Sequence, residues 1–359
     1  MPFLKNTWYV FDYADDITPE RFGHRTIIDQ PVLVYRKPDG MLAALRDICP
    51  HRFVPLHMGR QIGDVIQCGY HGLRFGPDGA CVGMPIAGMP IPKAARVVAY
   101  PVVERHSLVW LWMGDPALAD AGLIPDFSFL SDPARGNVRG HTHVDADYQL
   151  AIDNLSDLTH VQFLHAGYQA SEAFERLRFK VDQVGDTVYA RLTFPNGRPP
   201  YAFQKAVADI EAPIDLCFET RWNLPSCVRL RITAHPAGAH SAGAHSAGDG
   251  DNRLFESMSA HILTPETDRS AHYFFVNSRD YAVGDPEIDA RVRAWQRQGF
   301  DVEDKPMLEA QQRRIGGHDV MTLGPVLLPT DAGAIRARRI LAARMTAEGL
   351  PAAAADHGA

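Results

Sequence analysis

Two short loops, Cys49-Pro50-His51-Arg52 and Cys68-Gly69-Tyr70-His71-Gly72, carry two thiolates and two imidazoles and are separated by sixteen residues. Each loop supplies one residue of each kind. Such a set fits a [2Fe–2S] centre with cysteines on one iron and histidines on the other. Neutral imidazoles in place of anionic thiolates raise its potential well above that of an all-cysteine cluster, which suits a one-electron relay. A structural zinc ion also takes two Cys and two His. Zinc fingers usually pair like with like, whereas each loop here is mixed. Prolines and glycines around both loops would let backbone amides approach the sulfurs.

A second set stands at Asn154, Asp157, His160 and His165, in a segment (148–165) of helical composition. Asp157 and His160 are three apart and would share a helical face. His160 and His165 are five apart, which requires a widened turn or a helix end after His160 for both to reach one ion. Two histidines plus one carboxylate, with coordination positions left open, is the facial arrangement of non-haem Fe(II) sites that activate O2. A helix whose histidines are satisfied by neighbours is the competing reading. The carboxylate must come from elsewhere. Asp301, Glu303 and Asp304 cluster on a later helical stretch, and spacing alone does not choose among them.

The elements that must position these groups are legible in outline. Residues 1 to about 118 read as short strands and turns, with hairpin signals at Pro38-Asp39-Gly40 and Pro77-Asp78-Gly79. Gly114-Asp115-Pro116 and the segment up to Pro125 read as a boundary, giving domains at 1–118 and 119–345. Residues 175–235 return to β character. The small-residue stretch 237–250, with His240 and His245, is expected to be a flexible insertion and not a metal tract. Asp285-Pro286-Glu287 opens a helix that runs past Glu309 with a possible break near Gly299. A last helix covers about Asp331 to Glu348, and 346–359 is expected to be a disordered tail.

The whole chain narrows the function classes. A length of 359 residues suits two domains, each with its own core. A net charge of −7 gives no basic field for nucleic acid. No apolar run is long enough to span a membrane, and the start lacks a secretory pattern. Five cysteines, of which Cys81, Cys217 and Cys227 read as small buried hydrophobes, suit a reducing compartment. A cytoplasmic location is expected.

Together these residues resemble the Rieske non-haem iron aromatic oxygenases, in the branch that includes vanillate and dicamba O-demethylases and toluenesulfonate methyl-monooxygenase. The likeness covers nearly the whole chain. It rests on Asn6-Thr7-Trp8-Tyr9-Val10, Asp47-Ile48-Cys49-Pro50-His51-Arg52, Tyr70-His71-Gly72-Leu73, Asp153-Asn154-Leu155-Ser156-Asp157-Leu158-Thr159-His160 and Leu263-Thr264-Pro265-Glu266-Thr267. It implies an α+β protein: an all-β Rieske domain, then a catalytic domain whose curved antiparallel sheet wraps a long helix. It implies Cys49, His51, Cys68 and His71 on a [2Fe–2S] cluster, and His160, His165 and Asp304 on a mononuclear Fe(II), with O2 as co-substrate. It also implies a homotrimer in which Asp157 links His71 of one chain to an iron-binding histidine of the next, with Asn154 near the iron.

The resemblance further implies a terminal oxygenase. No Gly-x-Gly-x-x-Gly follows a strand, so electrons would come from a flavin/[2Fe–2S] reductase or a ferredoxin. The expected reaction is O-demethylation of a methoxylated aromatic acid with release of formaldehyde. Hydroxylation of an aryl methyl group or of the ring is the alternative. His261 and Trp295 are similar to cavity-lining positions in O-demethylases, the first as a hydrogen-bond donor and the second as a stacking ring. Arg231 falls where one relative carries a neutral amide, and in the cavity it would clamp a carboxylate or sulfonate. Val228, Leu230 and Ile232 alternate with Arg229 and Arg231, so both arginines would otherwise face solvent.

Overall fold

The computed structural model describes residues 3–86, 88–238 and 252–350. The chain forms two compact units, residues 3–126 with 264–267, and residues 127–263 with 268–350.

The first unit holds eleven short strands: β1 (Trp8–Tyr13), β2 (Gly23–Ile27), β3 (Gln30–Arg36), β4 (Leu42–Arg46), β5 (Arg60–Ile62), β6 (Val65–Gln67), β7 (Arg74–Phe75), β8 (Cys81–Gly83), β9 (Ala99–Tyr100), β10 (Val102–Arg105) and β11 (Leu108–Trp112). They form three sheets, ordered β1-β11-β10, β2-β3-β4-β9 and β5-β6-β7-β8. The hairpin expected at Pro38-Asp39-Gly40 joins β3 to β4, with Arg36 opposite Leu42 and Gly40 at φ 84°. A tighter turn at Ile28-Asp29 carries no glycine, yet both residues are left-handed, at φ 45° and 63°. A β-branched residue there is strained. Main-chain bonds hold the turn: the Ile28 and Asp29 amides donate to the carbonyls of Pro265 and Glu266 (both 2.9 Å). Residues 264–267 therefore belong to this unit, and the Thr264 hydroxyl donates to the Val10 carbonyl (2.7 Å).

The first unit also extends past the boundary at 118 expected from the sequence. Trp8 Nε1 donates to the Asp120 carbonyl (2.8 Å) and Arg105 Nη1 to that of Ala121 (2.7 Å). These bonds tie the Ala/Asp/Gly-rich stretch back onto β1 and β10.

The second unit is built on a seven-stranded sheet: β12 (Gly136–Val144), β13 (Arg178–Val184), β14 (Thr187–Gly197), β15 (Ile214–Asn223), β16 (Cys227–Pro236), β17 (Phe255–Thr267) and β18 (Ser270–Arg279), in the order β12-β18-β17-β16-β15-β14-β13. The β14–β17 registers align Leu192, Phe218 and Ile232 on one face, with Phe194, Leu216, Ala234 and Phe255 on the same side. That inner face packs on Leu158, Val161 and Tyr168. The helices are α1 (Tyr148–Ser156), α2 (Pro286–Gln296), α3 (Lys305–Ile315) and α4 (Ala332–Ala347). Arg338 of α4 grips α1 through Asp153, with Nη2 to Oδ2 at 2.6 Å. A π-helical stretch, Arg297–Asp304, joins α2 to α3. The break expected near Gly299 is this widening, and the helical path continues through it.

The insertion expected at 237–250 lies outside the described residues from 239 to 251, as does the tail from 351. Among the described residues no helix is long and apolar enough to cross a membrane.

Candidate iron–sulfur and iron sites

The two cysteine–histidine loops have the same backbone design. The Cys49 amide donates to the Val54 carbonyl (2.9 Å) and the Phe53 amide to that of Cys49 (2.9 Å). In the second loop the Cys68 amide donates to Leu73 (2.8 Å) and the Gly72 amide to Cys68 (3.0 Å). The residue four after each cysteine is left-handed, Phe53 at φ 58° and Gly72 at φ 77°. Phe53 takes that conformation without glycine's freedom. The second loop packs backbone to backbone on the 3-10 turn Leu56–Met58 that follows the first, since a Cβ on Gly69 would lie 2.6 Å from the Met58 carbonyl oxygen.

This arrangement buries both sulfurs and exposes both imidazoles. Cys49 and Cys68 are 1% and 2% exposed, while His51 and His71 lie at the surface with ring centroids 4.5 Å apart. Burial pushes the Cys49 thiol above its usual range, and the neighbouring Cys68 adds to the shift. A metal bound here would have to drive that thiol's deprotonation. The donor set fits a Rieske-type cluster, whose thiolate donors would be buried and whose imidazole donors would be at the surface.

The iron-type donors converge in the second unit. α1 ends at Ser156, earlier than the helix end expected after His160. Asp157 is the cause: it leaves the helix at φ −117°, ψ 98°, and its Oδ1 accepts from the Thr159 amide (2.9 Å). A 3-10 turn over Leu158–Gln162 follows. This change of pitch lets residues five apart face one point.

His160 Nε2 lies 3.7 Å from Asp304 Oδ1, and His165 Nε2 lies 3.4 Å from Asp304 Oδ2. One donor atom from each of the three residues falls within 4.8 Å of the others. Donors sharing one ion at about 2.0–2.2 Å stand roughly 3–4 Å apart, so the set fits a single metal. Asp304 and His165 are 5% and 4% exposed. Of the three acidic candidates, Asp301 is exposed and Glu303 sits at the other nitrogen of His165.

Both imidazoles present Nε2 for a chemical reason. His160 Nδ1 is 2.8 Å from the Asp157 main-chain oxygen, and His165 Nδ1 is 2.6 Å from Glu303 Oε2. Neither partner can donate, so each Nδ1 carries the hydrogen and each Nε2 lone pair is left toward Asp304. Burial holds His160 below its ordinary value, against the raising effect of Asp304. For His165 burial also lowers the value, but Asp304 and Glu303 favour the doubly protonated ring by their charge and by accepting its two N–H groups, and the net shift is upward. Asn154 Nδ2 donates to Asp304 Oδ1 (3.3 Å), which orients the carboxylate.

His261 is buried on the inner face of the sheet, opposite Val228. Its Nδ1 lies 2.7 Å from the Tyr273 hydroxyl, and its Nε2 has no hydrogen-bond partner among the described residues. Burial lowers its value to about 4, so it is neutral near pH 7. Trp295 packs at the edge of the core cluster, with its ring parallel to that of Tyr168 at 6.5 Å.

Arg231 follows the alternation of β16 and departs from the cavity position. It is on the outer face of the sheet, opposite Glu219 and Met258, and its Nε donates to Glu256 Oε2 (2.6 Å). Glu256 also binds Arg253 (2.7 Å) and Arg135 (3.1 Å). An arginine on that face, partly exposed and held by Glu256, points away from the His160, His165 and Asp304 donors. The neighbouring position facing inward is Leu230.

Sequence reasoning missed one cluster, His24, Asp47 and His57, whose donor atoms also fall within 4.8 Å. The His57 main-chain amide donates to Asp47 Oδ1 (2.8 Å), and its Nδ1 meets Oδ2. The His24 and His57 rings are stacked, 3.8 Å apart and 8° from parallel. In-plane lone pairs on parallel stacked rings do not converge on one ion. The cluster is an imidazole pair anchored by a buried carboxylate.

Comparison with known proteins agrees with this geometry. Residues 7–100 match the Rieske [2Fe-2S] domain family, and 144–347 match the vanillate O-demethylase oxygenase C-terminal domain family. The chain is similar to the oxygenase component of dicamba O-demethylase from Stenotrophomonas maltophilia. The two are 41% identical over 339 residues, covering 94% of this chain and 97% of that one. It also superposes on dicamba monooxygenase bound to 3,6-dichlorosalicylic acid, with a TM-score of 0.89 and 39% identity over 98% of this chain and 100% of that one. A structure of dicamba monooxygenase with non-haem iron and dicamba gives a TM-score of 0.83 and 37% identity over 97% and 99% of the two chains.

Proposed function

The chain belongs to the Rieske oxygenases with a vanillate O-demethylase type catalytic domain, and from that premise we propose that it O-demethylates a methoxylated aromatic acid, releasing formaldehyde. It is the oxygenase component of a multi-component monooxygenase, using O2 and electrons supplied by a flavin/[2Fe–2S] reductase or a ferredoxin. Cys49, His51, Cys68 and His71 hold the [2Fe–2S] cluster. His160, His165 and Asp304 hold Fe(II). When bound, that iron supplies O2 activation and the one-carbon oxidation of the methoxy group.

The observation that carries the reading is the convergence of two lone-pair-bearing Nε2 atoms on one buried carboxylate, with both Nδ1 atoms tied off. Asn154 keeps Asp304 turned toward the two rings. Asp157 already uses its main-chain oxygen on His160 and Oδ1 on the Thr159 amide. In a homotrimer its carboxylate would accept from His71 of a neighbouring protomer, so that reduction of one protomer's cluster is felt at the next protomer's iron ligand. His261, neutral and with Nε2 unengaged, donates one hydrogen bond to the substrate's polar group. Trp295 supplies an aromatic wall near the ring.

The test is formaldehyde release with oxygen uptake, on methoxylated and methylated aromatic acids, given NADH and a surrogate reductase. Formaldehyde in proportion to oxygen on a methoxy substrate is expected. Oxygen uptake with a hydroxylated product and no formaldehyde would replace demethylation by methyl or ring hydroxylation.

A further inference from the structure

We propose that Glu303 is the positioning residue of the iron site, a carboxylate that fixes the His165 ring and makes it the stronger of the two imidazole donors. The inference rests on His160, His165 and Asp304 as the iron ligands.

Glu303 and Asp304 are consecutive, and on a regular helix their side chains would diverge by about 100°. Here they bracket one imidazole. Glu303 Oε2 takes Nδ1 at 2.6 Å, while Asp304 Oδ2 stands 3.4 Å from Nε2. The π-helical winding of Arg297–Asp304 delivers both carboxylates to the same ring, a use of widened turns that recurs at functional sites.

Glu303 is itself held by two further donors. The Tyr168 hydroxyl donates to Oε2 (3.1 Å) and Gln298 Nε2 donates to Oε1 (2.9 Å). Gly299 makes room for this network, since a Cβ there would lie 2.7 Å from the Tyr168 oxygen. A side chain serving only solubility would not be gripped by three donors on one side of a ligand ring.

The two histidines are thereby made unequal. His160 gives its Nδ1 hydrogen to a neutral main-chain carbonyl, and His165 gives its own to an anion. A carboxylate at Nδ1 fixes the tautomer and the ring plane and raises the basicity of Nε2. Loss of such a partner typically costs 10–100-fold in metal affinity.

The test uses full-length protein with its cluster assembled. Fe(II) affinity is measured by competition with a chromogenic chelator, and the site geometry by the visible bands of the Co(II)-substituted protein. Glu303→Ala should weaken Fe(II) binding by about 10–100-fold and shift the Co(II) bands. Glu303→Gln should fall between, because its amide oxygen still accepts from Nδ1 but carries no charge. An unchanged far-UV circular dichroism spectrum and thermal melting of the second unit in both variants exclude misfolding as the cause, because the cluster belongs to the other unit, and the glutamine variant serves if the alanine one does not fold. Wild-type affinity and unchanged Co(II) bands in the glutamine and alanine variants would overturn the proposal. Asp304→Ala separates this from the underlying reading. If it retains wild-type iron affinity, the ligand set itself is wrong. If it loses iron while the Glu303 variants keep theirs, only the role of Glu303 falls.

Discussion

Replacing His261 by Gln should remove a large pH-dependent term from the stability of the catalytic unit. The buried imidazole is lowered from 6.5 to about 4. An unfolded chain binds a proton at this residue from about pH 6.5 downward, whereas the folded protein resists it until about pH 4. Between these values the unfolded state holds more protons, so stability rises with pH. The folded state keeps its full stability above 6.5 and loses it progressively as pH falls toward 4. At 1.36 kcal/mol per unit of pKa difference the complete term is about 3 kcal/mol, of which about 2 kcal/mol develops between pH 7.5 and 5. Tyr273 and the inner face of the sheet surround the ring, so solvent screening reduces this little. The assay is denaturant unfolding of iron-stripped wild type and His261→Gln across that range, taking the difference at each pH so that other groups cancel. The wild type should lose about 2 kcal/mol relative to the variant on acidification. Parallel curves would refute the argument, and so would an imidazole resonance of His261 titrating near 6.5 in the folded protein.

Other consequences follow from single contacts. Arg338→Met leaves Asp153 of α1 without its partner and should destabilise by about 2–3 kcal/mol, below the cost of a fully enclosed pair because Asp153 is partly exposed; thermal melting of the holoprotein measures it. Phe53→Gly relieves a left-handed conformation worth about 1–2 kcal/mol against glycine's entropy of about 0.5–1 kcal/mol. With the ring 78% exposed, melting followed at the cluster's visible absorption should show a small net gain, and a loss would show that the ring is packed. Arg231→Gln should leave KM for aromatic acids within about twofold, because the residue faces away from the iron donors; a selective rise for carboxylate substrates would return it to the cavity. A fragment ending at residue 126 lacks the Pro265 and Glu266 carbonyls that hold the Ile28-Asp29 turn, and should melt lower than the full-length protein at its cluster absorption.

The candidate cluster site was legible because all four proposed ligands are close in sequence and chemically distinctive. The iron site was half legible. His160 and His165 announce themselves together, but their carboxylate comes from a distant helix where three acids compete, and only burial and distance separate them. The contact of Glu303 with His165 was invisible, because reaching the far nitrogen of that ring depends on a π-helical winding that no periodicity signals. Arg231 illustrates another limit. Alternation in β16 places Arg229 and Arg231 opposite Leu230 and Ile232, but strand pattern alone does not reveal that Glu256 and two more arginines await it on the outer face. The Ile28-Asp29 turn escaped notice for a similar reason. Its unfavourable backbone is sustained by a segment more than two hundred residues later.

That late segment, with the late carboxylate, sets an order of construction. The four proposed cluster ligands have all been synthesised by residue 71, yet the turn between β2 and β3 waits for Pro265 and Glu266. At about 5–20 residues per second of synthesis, the gap is roughly 10–40 s. Asp304 follows His165 by 139 residues, so the two histidines wait roughly 7–28 s for their carboxylate. The nascent chain thus offers a complete sulfur-and-imidazole pocket long before it offers an iron pocket. The order of synthesis therefore places the proposed cluster ligands ahead of the proposed iron ligands, whose set closes only with Asp304.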